Sequence, residues 1–204
     1  MAETIRLELN SLLERHPIGD VLLHDYGSAT VYRLCVDPVR LADNIFEREM
    51  IVEHSRQDSE EVRLHRVIIG CTGHLDWDFC VRAAVSKNSN DLTQHAALGI
   101  AGLTASHFEQ AKILNVLQIG SGPDYALEVP WAKNPATIEM SGLRLDDTPT
   151  GAAVRSRVVE KSGVVVTGCV SVTAFSHRAT GSGYSVIRRI RVTQATESVQ
   201  EIRK

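Results

Sequence analysis

The order of the elements predicted between residues 92 and 175 constrains the fold more than any other feature of this chain. It runs helix, three strands, helix, strand. The last strand has the strongest local signal, since VVVTGCVSVTAF is rich in β-branched residues. Thr148, Pro149 and Gly163 match the cap, the first turn and the end of the second helix. The predicted elements are a helix at 92–112, strands at 113–122, 124–129 and 136–143, a helix at 151–163 and a strand at 164–175.

The first part of the chain has weaker local signals. Leucines recur on one side of a helix in the opening segment, and two β-rich runs flank Gly27 and Ser28 as in a hairpin. Asp37 and Pro38 match the N-cap and the first position of a helix. The predicted elements are a helix at 1–15, a hairpin at 21–36, a helix at 37–54, a loop at 55–61 and a strand at 62–71.

Composition narrows the functional classes. The hydrophobic fraction of 43% and the charged fraction of 23% are typical of an ordinary soluble globular protein. A formal net charge of −3 gives no overall attraction to nucleic acid or to an anionic membrane. No apolar run is long enough to span a membrane, and the charged N-terminus is unlike a signal peptide, so we expect a cytoplasmic protein with no membrane partner.

The four cysteines, at 35, 71, 80 and 169, have no zinc-ligand spacing and are expected to be small buried hydrophobes. Nothing in the composition forces a domain boundary. The polar run at 87–91 is the weakest seam, because it combines capping residues with breakers of regular structure. We therefore divide the chain into an N-terminal α/β extension at 1–90 and a core at 91–204 that includes a C-terminal strand and tail.

The core resembles a known family. Pro123-Asp124 opens the second of the three strands, and Glu139-x-Ser141 lies on the third. This placement, on the order helix, three strands, helix, strand, resembles the PD-(D/E)xK nucleases of the restriction-endonuclease-like fold. The resemblance covers residues 92–175. It implies an α+β fold with an αβββαβ core, in which a mixed central sheet is flanked by helices, and magnesium-dependent cleavage of phosphodiester bonds.

The resemblance also implies roles for particular residues. Asp124 and Glu139 would bind magnesium, a hard cation that prefers oxygen ligands, and Glu109 on the preceding helix would be the additional acid that some members use. Ser141 stands where the family motif has a lysine, and a serine can hydrogen-bond a water but has no positive charge. Candidates to supply the missing lysine from elsewhere are Lys112, Lys133 and Lys161.

Two other segments have functional interpretations. On the predicted final strand, 184–192, Arg189 and Arg191 share one face and would contact phosphates, or the strand is an edge protected from aggregation by charge. If residues 74–85 form a strand, His74, Asp76 and Asp78 share a face and would be an alternative ligand set. The simpler interpretation of that segment is a strand end with a solvated polar face.

Three functions therefore compete. The first is a magnesium-dependent nuclease acting on DNA or RNA, in a restriction or defence setting. The second is a catalytically inactive member of the same fold that serves as a partner-binding or sensing subunit of a larger assembly, which the missing lysine and the mild acidity favour. Its partner would be another protein or further copies of the chain in a homo-oligomer. The third is an unrelated α+β enzyme or ligand-binding protein, with its site at residues 74–78.

Overall fold

A mixed sheet of eight strands with helices on both faces organises the protein. The structure, a computed structural model, describes residues 4–34, 45–59, 61–73, 75, 77–117, 123–145, 149–176 and 182–191. The strands are β1 (Thr4–Glu8), β2 (Ile45–Arg56), β3 (Val62–Thr72), β4 (Lys112–Val116), β5 (Tyr125–Glu128), β6 (Ala136–Leu145), β7 (Thr167–Ser176) and β8 (Gly183–Arg191). Their order across the sheet is β1-β3-β2-β8-β7-β6-β5-β4.

The helices lie in two layers. They are α1 (Ser11–Arg15), α2 (Gly19–Val21), a π-helical turn (Leu22–Gly27), α3 (Ser28–Leu34), α4 (Trp77–Val85), α5 (Ser89–Glu109) and α6 (Gly151–Ser162). Buried residues of α1, α3, α4 and α5 belong to one large apolar cluster, and those of α6 belong to a second cluster. None of the helices in the described ranges is long and apolar enough to cross a membrane.

The core predicted from element order is confirmed. Helix α5 is followed by β4, β5 and β6, which pair as an antiparallel meander. Helix α6 then connects β6 to β7, and these two strands pair in parallel over nine residues from Thr137–Gly168 to Leu145–Ser176. Because a parallel pair needs a crossover connection, a helix in this position is what the pairing requires. The architecture is the expected α+β fold with a mixed sheet flanked by helices.

The N-terminal residues extend this sheet. Strand β2 pairs in parallel with β8 and antiparallel with β3, and β1 pairs in parallel with β3. Strand β8 is therefore an interior strand between β2 and β7, and the expectation that it forms a charged edge is wrong. The predicted boundary at residue 90 falls in the first turn of α5, and strands from both sides of it share the sheet.

The helix predicted over residues 1–15 is wrong in its first half. Residues 4–8 form β1, in which Ile5 lies opposite Val67 and Leu7 lies opposite Ile69 of β3. The leucines that suggested a helical stripe also fit the alternation of a strand. Backbone pairing with β3 makes this segment a strand rather than a helix. Helix α1 accounts only for Ser11–Arg15.

The hairpin predicted over residues 21–36 is also wrong, since residues 19–34 are helical. Ser28 Oγ donates a hydrogen bond to the carbonyl oxygen of His24 at 2.5 Å, and Thr30 Oγ1 donates to that of Tyr26 at 2.9 Å. Each hydroxyl is satisfied one turn back along the helix, so polar and β-branched residues are accommodated in a buried helix.

The helix predicted over residues 37–54 is replaced by strand β2 from residue 45 onward. Its proposed cap, Asp37 and Pro38, lies outside the described residues. Strand β2 is hydrogen-bonded along both sides, by β3 and by β8, and its apolar residues Phe46, Met50 and Val52 are buried. These three residues share one face of a strand. Phe46 and Met50 are four residues apart and would also share one side of a helix, so the sequence pattern alone does not distinguish the two structures.

Helix α5 is predicted nearly to its ends. Asn88 Oδ1 accepts hydrogen bonds from the backbone N–H groups of Asn90 and Asp91, both at 3.0 Å, which caps the helix. Gly99 permits close packing of α5 against a neighbouring helix. A Cβ at Gly99 would lie 2.3 Å from Thr30 Oγ1 of α3.

Three cysteines, Cys71, Cys80 and Cys169, are free and buried, which confirms the expectation for them, and Cys35 lies outside the described residues. Burial raises the pKa of the Cys71 thiol to about 11, so this thiol stays protonated at neutral pH.

Candidate functional site

Asp124 and Glu139 are brought together on one face of the sheet. Tyr125 lies opposite Ile138 in the antiparallel β5–β6 pair, and the backbone N–H of Asp124 donates to the carbonyl oxygen of Ile138 at 3.1 Å. The side chain of Asp124 then reaches β6 itself, where its Oδ2 accepts a hydrogen bond from the N–H of Met140 at 2.8 Å. An acid that immediately precedes β5 is thus held against β6, the strand that carries Glu139.

Glu139 is almost fully enclosed, with 4% of its surface exposed. Lys161 on α6 donates a hydrogen bond to Glu139 Oε1, while Glu139 Oε2 is buried with no hydrogen-bond partner in the described part of the chain. Burial raises the pKa of the Glu139 carboxyl, and the charge of Asp124 raises it further, against the opposing effects of Lys161 and Arg157. The net shift is upward because burial and Asp124 together outweigh the two cations.

Helix α6 supplies a second cation beside Ser141. The Nε of Arg157 donates to Ser141 Oγ at 3.3 Å, and its Nη1 pairs with Glu160 on the same helix. Glu139 and Ser141 are two residues apart on β6 and Arg157 and Lys161 are four apart on α6, so each pair shares a face of its element. Glu139 and Ser141 on β6 therefore face Lys161 and Arg157 on α6.

Of the three lysines considered as substitutes, Lys161 is the one that contacts the strand motif. Lys112 instead pairs with Glu128 at 3.0 Å on the surface, and Lys133 is an exposed residue of the β5–β6 loop. Arg157 was not identified from the sequence. The signal that could have found it is the spacing of Arg157 and Lys161 on a well-predicted helix, which places both on one side.

Glu109 lies on the opposite face of the sheet, and the structure does not bring it to the other two acids. On β7, Val170 packs in the cluster under α6, whereas Cys169, its neighbour, packs in the cluster under α5, the helix that carries Glu109. Glu139 pairs with Val170 and therefore faces α6. The ligand set expected from the resemblance is reduced to Asp124 and Glu139.

Glu109 has partners of its own. His54 Nε2 lies 2.7 Å from its Oε1, and Arg189 Nε donates to its Oε2 at 2.6 Å. Burial by itself raises the pKa of the Glu109 carboxyl, but the hydrogen bonds from His54 and Arg189 outweigh that effect and the pKa is lowered. Both carboxylate oxygens thus have buried partners, a hydrogen bond with His54 and an ion pair with Arg189.

The same network occupies Arg189, which was expected to contact phosphates. The Arg189 side chain is 15% exposed, and its guanidinium lies 4.5 Å from the ring centroid of Trp131. Arg191 is exposed at the end of β8. Arg188 faces the other side of the sheet, toward α6, since it pairs with Val170.

The alternative site does not form as a strand. Residues 77–85 are helix α4, and Asp78 is an exposed residue in its first turn. His74 and Asp76 lie outside the described residues. The strand interpretation of residues 74–85 is wrong for this helical part, because the alternating polarity of a few residues does not exclude a helix.

Within the described ranges, no group of three or more histidine, cysteine, aspartate or glutamate side chains could hold a metal ion. A pair of carboxylates is below that number, and magnesium binds to such pairs when water completes its coordination. Comparisons of the chain with protein-family models, with curated proteins and with solved structures found no match.

Proposed function

We propose that this protein is a metal-dependent phosphodiesterase acting on nucleic acid, with Asp124 and Glu139 as metal ligands and Lys161 in the role of the lysine that the strand motif lacks. The observation that supports it most directly is the hydrogen bond from Lys161 to Glu139. A cation missing from the sequence motif is supplied beside the acid by the neighbouring helix.

The residues present fit magnesium. All the donor atoms of the pair are oxygens, which a hard cation prefers, and Glu139 Oε2 is a buried oxygen without a hydrogen-bond partner in the described chain. The hydrogen bond from Met140 holds the Asp124 carboxylate against β6, the strand that carries Glu139. When bound, magnesium would lower the pKa of a coordinated water and neutralise charge on the scissile phosphate.

The protein's own groups have separate tasks in this proposal. The ammonium of Lys161 has three N–H donors, of which one goes to Glu139, so the others are available to orient a water molecule or a phosphate oxygen. Arg157 holds a planar guanidinium nearby, suited to a phosphate oxygen. Ser141 accepts a hydrogen bond from Arg157 and thereby positions it, rather than replacing the lysine.

The test is a magnesium or manganese titration with fluorescently labelled DNA and RNA. We expect cleavage by the wild type, none by Glu139→Gln, and cleavage reduced at least about a hundredfold in Lys161→Met, the size expected for loss of a transition-state cation. Lys112→Met is the matched control, because Lys112 pairs with Glu128 on the surface away from the site. Absence of cleavage by folded wild-type protein with either metal would contradict the proposal.

The second candidate is a non-catalytic member of the same fold that binds a protein partner. It is favoured by the enclosure of Glu139, which is 4% exposed with Lys161 already on one oxygen. It predicts a stable complex with another protein and no cleavage with any divalent ion, whether or not the ion binds. Cleavage by the wild type that is lost in Glu139→Gln would contradict it.

A further inference from the structure

A cavity of about 560 Å³ opens on the same face of the sheet as Asp124 and Glu139, on the other side of helix α6. It lies where β2 ends and turns toward β3, beside the end of β8. Arginines and hydroxyl residues supply most of its polar lining, and valines close it against α6. The residues that give the cavity its charge and shape include Ser55, Arg56, Ser59, Arg155, Val159 and Arg188.

One of the three arginines is neutralised. Arg155 Nε donates to Glu53 Oε2 at 2.8 Å, and the same oxygen accepts a hydrogen bond from the hydroxyl of Tyr184 at 3.0 Å. Glu53 is buried while Arg155 is about half exposed, so the pair forms a fixed wall of the cavity. This pair adds no net charge.

Arg56 and Arg188 are different. Within the part of the chain that the structure describes, the guanidinium of neither residue makes a hydrogen bond or an ion pair, although Arg56 lies close enough to Glu61 to help lower the pKa of that carboxyl. Asp58 is the remaining acid in the lining, so the two arginines outweigh it and the cavity has a positive balance. The hydroxyls of Ser55 and Ser59 add neutral donors beside them.

We propose that this cavity is a binding groove for the phosphodiester backbone of nucleic acid, with Arg188 and Arg56 contacting phosphates. The inference rests on the proposed function and names where its substrate is held. A guanidinium matches the geometry of a phosphate and has a low cost of desolvation, which makes two unpaired arginines in a concave site a phosphate-binding arrangement. The groove replaces the expected contact through Arg189, which is committed to Glu109.

The experiment measures binding without cleavage. Labelled single-stranded DNA and RNA are titrated in EDTA, with fluorescence anisotropy as the readout, between about 50 and 200 mM salt. We expect Arg188→Ala to weaken binding about tenfold, the cost of losing one charged hydrogen-bonded contact, and to reduce the salt slope by about one. Arg191→Ala is the matched control, since Arg191 is exposed on the same strand but on the opposite face.

Each outcome of the binding experiment either supports or overturns the proposed groove. Equal affinity for wild type and Arg188→Ala, or no binding by the wild type at the lowest salt, overturns the groove. An equal loss in Arg191→Ala also overturns it, because the effect would then be one of general charge. If Arg188→Ala fails to fold in a thermal melt, Arg188→Gln and Arg56→Ala provide the same comparison.

The result is independent of the proposed catalytic site. Binding in EDTA does not require the metal, whereas the cleavage assay depends on Glu139. If cleavage requires Glu139 but Arg188→Ala binds nucleic acid as tightly as the wild type, the proposed nuclease activity is supported and the proposed groove is overturned. If binding depends on Arg188 but no divalent ion promotes cleavage, the proposed groove is supported and the proposed nuclease activity is overturned.

Discussion

The carboxylate of Asp124 accepts a hydrogen bond from the backbone N–H of Met140 at 2.8 Å, so an acid at the start of one strand is held against the next strand. The backbone of Asp124 is tied down as well, by Ile138 on β6 and by Leu117 beyond β4. Asp124 therefore has a structural role besides its proposed role as a ligand, and the two roles can be separated by substitution.

Asp124→Asn should leave stability within about 0.5 kcal/mol of the wild type, because the amide oxygen can still accept from Met140, whereas Asp124→Ala should lose about 1 kcal/mol. Urea denaturation measures both. Equal stability of the two variants would show that the hydrogen bond to Met140 contributes nothing. In the metal titration, both variants should bind magnesium more weakly than the wild type, since both lack the negative charge.

Removing Lys161 should leave Glu139 buried without its cation. We expect Lys161→Met to lower the free energy of unfolding by about 2 kcal/mol, less than for a fully buried pair because the Lys161 side chain is 26% exposed. The double variant Lys161→Met/Glu139→Gln should recover most of the loss, since no charge is then left unpaired. For comparison, Lys112→Met breaks an exposed pair with Glu128 and should cost less than about 0.5 kcal/mol. A loss of the same size in both lysine variants would contradict the contact with Glu139.

Glu109 should stabilise the fold above acidic pH. Its folded pKa is lowered below the usual 4.5, so the stabilisation is fully present above that value and is lost as the pH falls through the lower folded value. Glu109→Gln should therefore cost about 3 kcal/mol at neutral pH, because His54 and Arg189 lose a buried charge partner, and the difference from wild type should shrink below pH 4.5. Denaturation at a series of pH values measures this; a constant difference would contradict it.

His16 should make stability depend on pH in a different range. Its Nδ1 accepts a hydrogen bond from the N–H of Ile113 at 2.9 Å, and burial lowers the pKa of the imidazole from 6.5 to about 4. The unfolded chain binds a proton between these values and the folded chain does not, so stability should rise by about 3 kcal/mol as the pH increases from 4 to 6.5.

The variant His16→Asn isolates this effect. An asparagine can accept the same hydrogen bond from Ile113 through its amide oxygen but does not titrate. The variant should lack the rise in stability between pH 4 and 6.5. In contrast, His16→Ala should lower the free energy of unfolding by roughly 1 to 3 kcal/mol more than His16→Asn does, because it leaves the buried N–H of Ile113 without an acceptor. A wild-type slope that persists in His16→Asn would assign the titration to other groups.

Success at predicting individual elements followed the strength of their local signals. Helix α5 has a capping residue, Asn88, at its start, and β7 has a dense run of β-branched residues, so both were placed nearly correctly from the sequence. Strand β2 and the helical residues 19–34 were assigned the wrong structure because their apolar spacing fits both periods. Their hydrogen-bond partners distinguish strand from helix. Strand β2 pairs with β3 and β8, whereas the hydroxyls of Ser28 and Thr30 donate to carbonyl oxygens one helical turn back.

Some features of the candidate site could likewise be predicted from the sequence and others could not. The pairing of Asp124 with Glu139 followed from element order, because consecutive antiparallel strands bring neighbouring positions together. The separation of Glu109 did not follow, since the sequence does not show which face of the sheet α5 covers. The same holds for the choice of Lys161 over Lys112, which depends on how α6 is rotated against β6.

By itself, the sequence determined the succession of helices and strands in the core and the alternation that puts Glu139 and Ser141 on one face, because capping, β-branching and period-two geometry act over a few neighbouring residues. The tertiary structure decided which helix covers which face, which strand joins the N-terminal part to the sheet, and which cations meet the acids. These depend on contacts between residues far apart in the chain, whose energies are set by packing and burial rather than by local preference.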